Sequence, residues 1–166
     1  MLESKEELTR ERIDALRVEL KPKERVLQII HLVFFLGVSG LTGSLFFQGR
    51  NNAGNISEST WVLLFVSVFS LVVSSVMPMF VRNSKPSPDE RTVEQLAGAY
   101  TVSHIVGLAM LESGILLPAF GLLITKSGPQ WFVWVLVFMV LVLLLRFPLP
   151  GKLTDWVIEQ LESRRA

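Results

Sequence analysis

Four apolar stretches, each near the length a bilayer demands, leave this chain few folds to choose from. They run from Leu27 to Phe47, from Trp61 to Val81, from about Tyr100 to Ile124, and from Trp131 to Leu145 with a flank reaching Phe147. A hydrocarbon layer ~30 Å thick takes ~20 apolar residues of helix to cross. Lipid offers no partner to a bare N–H or C=O, so a crossing segment satisfies its own backbone as a helix. Half of the 166 residues are hydrophobic. The charges collect at the two ends and in the connections, a segregation that belongs to membrane spans rather than to a soluble core.

The expected fold class is therefore all-α and integral to the membrane. It is an antiparallel four-helix transmembrane bundle with spans at about 27–47, 61–81, 100–124 and 131–147, together forming a domain over 27–147. The connections are turn-like: Gly49-Arg50-Asn51-Asn52, Lys85-Pro86-Ser87-Pro88 and Ser127-Gly128-Pro129. Short links make neighbours run up and down in turn. Residues 1–26 read as a cytoplasmic amphipathic helical segment, with Leu2, Thr9, Ile13, Leu16 and Leu20 on one narrow face. Pro22 then suits the first turn of the first span, where its missing N–H does no harm. After Pro148-Leu149-Pro150-Gly151, the helical spacing of Leu153, Trp156, Val157 and Leu161 makes 148–166 a short interfacial helix.

Basic residues give the orientation. The N-terminal segment, the Arg82–Leu96 connection and the C-terminal end hold fourteen Lys or Arg, against Arg50 and Lys126 alone on the other side. That asymmetry puts both termini in the cytoplasm, most simply of a bacterial inner membrane. Trp61 and Trp131 mark the outer ends of the second and fourth spans. The first 26 residues carry fourteen charges and lack the pattern of a cleaved signal peptide, so the first span reads as a retained anchor.

Small residues indicate close helix approach: Gly37, Gly40 and Gly43 in the first span, Ser67, Ser70 and Ser74 in the second, and Gly107, Gly114 and Gly121 at intervals of seven in the third. The fourth span has none from Trp131 to Leu145. Spans one to three are accordingly expected in tight mutual contact, with span four on the lipid side. Pro118 cannot bond the carbonyl of Gly114, so a helix bend is expected at Pro118 and Gly114.

Glu112 is the costliest residue, a carboxylate near the middle of the third span. At ~1.5 Å of rise per residue it lies about 4 Å cytoplasmic of the centre of Ile105 to Ile124, level with Ser74 and within reach of His31. The candidate polar site is therefore Glu112 with His31, Ser74 and Ser70, a protonated acid acting as interhelical glue. His104 points away from Glu112 along the third span and is expected to reach the interface.

Ala109-Met110-Leu111-Glu112-Ser113-Gly114, the opening Glu24-Arg25-Val26-Leu27-Gln28-Ile29-Ile30-His31 and the closing Arg146-Phe147-Pro148 resemble an uncharacterised family of small bacterial four-span membrane proteins. The resemblance implies a topology and an intramembrane glutamate rather than an activity. The segment around Glu112 is also locally similar to the ion-carrying helix of the rotary ATP synthase c subunit. That subunit is a two-span hairpin, however, and its function does not transfer to four spans.

No cysteine is present, which excludes disulfides, thiolate metal sites and cysteine nucleophiles. H-E-x-x-H, G-x-S-x-G and Walker glycine motifs are also missing, so no catalytic, metal or cofactor site is expected. Bases and acids balance seven to seven before the first span, which leaves no nucleic-acid footprint. The expected partners are the lipid bilayer and either a homo-oligomer or a larger membrane complex. The leading function is a non-enzymatic structural or accessory subunit. A proton- or cation-coupled transporter or channel using Glu112, and a lipid or hydrophobic-ligand binder using a cleft near Pro118, are the alternatives.

Overall fold

A computed structural model describes residues 10–49, 58–83, 92–125 and 130–163, which form five α-helices and no strand. They are α1 (Arg10–Gly49), α2 (Glu58–Asn83), α3 (Val93–Thr125), α4 (Gln130–Leu145) and α5 (Lys152–Ser163). Three of them contain segments long and apolar enough to cross a membrane: Arg10–Leu45, Thr60–Val81 and Val93–Leu122. Trp131–Leu145 is a shorter apolar helix.

α1 does not break between its charged and apolar halves. Pro22, expected in the first turn of a span, lies inside a helix of 40 residues. The carbonyl that Pro22 leaves unpaired belongs to Val18, which is 74% exposed, so water can take the place of the missing N–H. The remaining termini are set by local chemistry. Thr92 and Gln95 form a reciprocal cap at the start of α3: the Thr92 N–H donates to Gln95 Oε1 at 2.9 Å and the Gln95 N–H to Thr92 Oγ1 at 3.3 Å. α4 stops before Phe147-Pro148 because a residue preceding proline disfavours the helical region. Its last turn tightens, with the Phe147 N–H donating to the Leu144 carbonyl at 3.0 Å. Gly151, at φ +88°, supplies the left-handed turn that launches α5.

α3 is the hub. Its three evenly spaced glycines face α2, and a Cβ at Gly107 would meet Pro78, one at Gly114 would meet Ser70, and one at Gly121 would meet Leu63, all inside 3 Å. α2 can therefore lie along α3 at close range, as small-residue grooves allow. The glycines of α1 are different: added Cβ atoms at Gly37, Gly40 and Gly43 meet nothing within 4 Å. α1 packs on α3 and α4 and scarcely on α2, so the expectation of three mutually tight spans holds for α2 with α3 only.

The place expected for the fourth span is also corrected. Phe132, Leu136, Met139 and Leu143 of α4 are fully buried, in one core with Val38 and Leu45 of α1 and Leu108, Leu111 and Ile115 of α3. Bulky side chains at three- and four-residue spacing interlock without close backbone approach, so a helix without small residues can still sit inside. α5 buries Leu153 and Val157 in a second core with Leu20 and Leu27 of α1 and Leu96, Ala97 and Tyr100 of α3. It thus docks on α1 and α3 rather than merely resting on a surface. The outer face is apolar: Val62, Phe65, Phe69, Val72 and Phe80 of α2 and Val26, Ile29, Val33 and Leu36 of α1 are all exposed. In water a patch of that extent would drive aggregation, whereas lipid is its natural solvent.

Candidate functional site

Polar side chains gather at the carbonyls that prolines leave unpaired. Pro118 leaves the Gly114 carbonyl without its helical donor, and the Ser67 hydroxyl of α2 reaches it, sharing its one proton between Gly114 O at 3.0 Å and Leu63 O of its own helix at 3.1 Å. Pro78 does the same to the Ser74 carbonyl, and here the donor comes from beyond the end of α4. Arg146 Nη1 donates to Ser74 O at 3.1 Å and to Ser74 Oγ at 2.9 Å, while Nη2 donates to Ser75 Oγ at 2.6 Å. Both serine hydroxyls donate to the Leu71 carbonyl, at 2.8 and 3.0 Å, so their lone pairs are turned toward the guanidinium. A side chain expected only to report orientation therefore ties α4 to α2.

His31 is completely buried. Its Nε2 lies 2.8 Å from the Leu143 carbonyl in the last turn of α4, and since a carbonyl only accepts, Nε2 carries the proton. In the neutral ring Nδ1 is then the acceptor, and it faces His104 Nε2 at 3.3 Å. His104 in turn stacks on Tyr100, with ring centroids 6.4 Å apart and planes 5° from parallel. His31 thus meets His104, not Glu112.

Two further α1 residues, one and two turns before His31, complete a row along the same face. Gln28 Nε2 donates to the Pro148 carbonyl at 3.0 Å. The Glu24 carboxylate accepts from the Gly151 and Thr154 N–H groups at 3.0 and 3.2 Å and from Thr154 Oγ1 at 3.1 Å. An anion at these orphan amides is favoured by the helix dipole as well as by hydrogen bonding. Glu24, Gln28 and His31 therefore fasten the link between α4 and α5 to α1.

Glu112 stands apart from all of this. It is half-buried at the edge of the α3 core face, beside exposed Ala109, Met110 and Ser113. Ser113 Oγ donates to its own helix at Ala109 O, and among the described residues Glu112 has no hydrogen bond or ion pair. Of its expected partners, Ser74 holds Arg146, Ser70 packs against Gly114, and His31 holds His104 and α4.

Sequence reasoning missed Arg146, His104, Tyr100, Gln28 and Glu24. Two signals were present. Ser74 lies four residues before Pro78, which marks its carbonyl as unpaired. His31 and His104 each lie four residues past the expected start of their spans, at 27 and 100, and so at equal depth.

A cavity of about 340 Å³ opens beside Arg146. Ser74, Ser75, Tyr100, His104, Arg146 and Lys152 make its polar side, and Pro78, Leu108 and Leu145 its apolar side. No carboxylate among the described residues lines it. No group of three or more metal-ligating side chains occurs among the described residues. No family model matches this chain, and no curated protein and no solved structure matches it either.

Proposed function

We propose that the chain is a non-enzymatic, multi-pass subunit of a bacterial inner-membrane assembly. It crosses the bilayer four times with both termini in the cytoplasm, and it assembles through the Glu112 edge of α3. The four-span, antiparallel reading draws support from the pairing of Gly107 with Pro78, Gly114 with Ser70 and Gly121 with Leu63, in which α2 residues descend as α3 residues rise. Trp61 and Trp131, with ring centroids 6.4 Å apart, suit a common interfacial level.

The observation that carries the assembly reading is the solitary state of Glu112 among the described residues. A carboxyl group facing lipid without a partner costs about 2–3 kcal/mol or more, and a neighbouring subunit offering a hydrogen bond removes much of that cost. A permeation pathway has less support, because Glu112 lines neither the cavity beside Arg146 nor the one between α1 and α5. The carbonyl freed by Pro118 is taken by Ser67, so it does not serve as an open ligand either.

The test uses the absence of native cysteine. With Ala109→Cys as the sole thiol, a bismaleimide should cross-link the protein in membranes. Glu112→Gln, whose amide keeps a hydrogen bond, should preserve the product, and Glu112→Leu should reduce it about tenfold, the equivalent of ~1.4 kcal/mol. Uniformly monomeric protein in all three backgrounds would count against assembly. A pH-dependent ion flux in liposomes that Glu112→Gln abolishes would replace this reading with transport.

A further inference from the structure

We infer that the cavity beside Arg146 is a binding site for an anionic phosphate group. The guanidinium has five N–H donors, and three of its hydrogen bonds go to Ser74 and Ser75. Nε and the second Nη2 proton have no acceptor among the described residues. Those two donors form the side edge of the guanidinium, the fork that fits two oxygens of a phosphate or carboxylate at once.

The charge is as exposed as the donors. Arg146 has no ion pair among the described residues, and its hydrogen bonds all end on uncharged oxygens. Its contacts on α2 lie seven residues inside the apolar stretch that ends at Val81, about 10 Å along the helix axis. An arginine drawn to that depth is stabilised by a counter-charge. The described residues supply none: Lys152 adds a second cation to the wall, His104 a ring, and no acid among the described residues lines the cavity with them. Glu24, which contacts the link that follows α4, is engaged by the amides of Gly151 and Thr154.

The shape and position favour an amphiphile. The cavity runs from Ser74, inside the apolar stretch of α2, to Arg146 and Lys152, past the end of the apolar part of α4, and so opens from the acyl region toward the headgroups. Leu108, Leu145 and Pro78 offer an apolar wall to acyl or glycerol carbons, opposite the cationic one. The chemistry shared by an anionic phospholipid and a free phosphate ion is the oxyanion on the Arg146 fork, so the experiment separates the two.

The full chain is purified in neutral detergent and titrated with short-chain phosphatidylglycerol, short-chain phosphatidylcholine or inorganic phosphate, read by native mass spectrometry and by thermal unfolding. Phosphatidylglycerol is expected to bind saturably, to stabilise the fold and to exceed phosphatidylcholine. Arg146→Lys, which keeps charge but loses the fork, should weaken binding about tenfold or more. Lys152→Gln, on an exposed side chain, should weaken it roughly threefold without touching the fold. Inorganic phosphate that competes with the lipid, with the same dependence on both residues, identifies the free ion as the occupant. Phosphate without effect identifies the lipid. Equal retention of both lipids, or binding indifferent to Arg146→Lys and Lys152→Gln, overturns the site, as does failure of every probe to bind. The inference rests on the membrane reading but not on assembly through Glu112. Loss of cross-linking leaves the lipid titration unchanged, and the reverse holds too.

Discussion

At the scale of single residues, Ser67 and Arg146 perform equivalent tasks. Each donates to a carbonyl that a proline four residues on has left unpaired, Gly114 ahead of Pro118 and Ser74 ahead of Pro78. In lipid no water stands in, so the donor comes from a neighbouring segment and the freed carbonyl becomes a point of attachment. Ser67→Ala should therefore destabilise the protein by about 1 kcal/mol, measured by unfolding in detergent. In a Pro118→Ala background, where the backbone N–H returns, the same change should cost less than half as much. Equal costs in both backgrounds would mean that Ser67 serves only to pack. The freed carbonyl was legible from Pro118. Its partner was not, because a serine has too many available acceptors for its position alone to choose one. Glu112 was legible as the anomalous residue, yet its depth alone paired it with His31 and Ser74. Depth says nothing of which face of each helix turns inward.

At the scale of elements, α1 acts as a fastening rail. Glu24, Gln28 and His31 lie along one face and engage, in turn, the start of α5, the Pro148 carbonyl and the last turn of α4. Glu24→Ala leaves the Gly151 and Thr154 amides bare and should loosen α5. Amide hydrogen exchange across Lys152–Ser163 should accelerate on the order of tenfold, while the α3 core from Leu108 to Ile115 stays protected. Exchange unchanged in α5 would show that Leu153 and Val157 hold it unaided. The helices were readable from apolar runs and end signals. The roles of α1 and α4 were not: small residues marked the close contact of α2 with α3 correctly, but a helix hydrophobic on every side fits equally at the lipid boundary or inside. Continuity through Pro22 was likewise hidden, since a proline ends, bends or merely interrupts a helix according to what surrounds the carbonyl it frees.

At the scale of the molecule, two cores divide the work. One joins α1, α3 and α4 through apolar side chains alone, and the other seats α5 on the N-terminal halves of α1 and α3. Between them lies the polar layer of His31, His104, Arg146 and the two serines of α2. The proposed crossing of the membrane by all four apolar helices places this layer at the cytoplasmic boundary and leaves Glu112 deeper, facing a partner. Assembly through Glu112 and binding at Arg146 both depend on that topology. The most direct measurement is labelling of single introduced cysteines in intact cells by a membrane-impermeant maleimide, at Ser4, Asn52, Ser87, Ser127 and Ser163. Asn52→Cys and Ser127→Cys should react from outside, and Ser4→Cys, Ser87→Cys and Ser163→Cys only after the membrane is opened. Ser87→Cys and Ser163→Cys found on opposite faces would contradict the account.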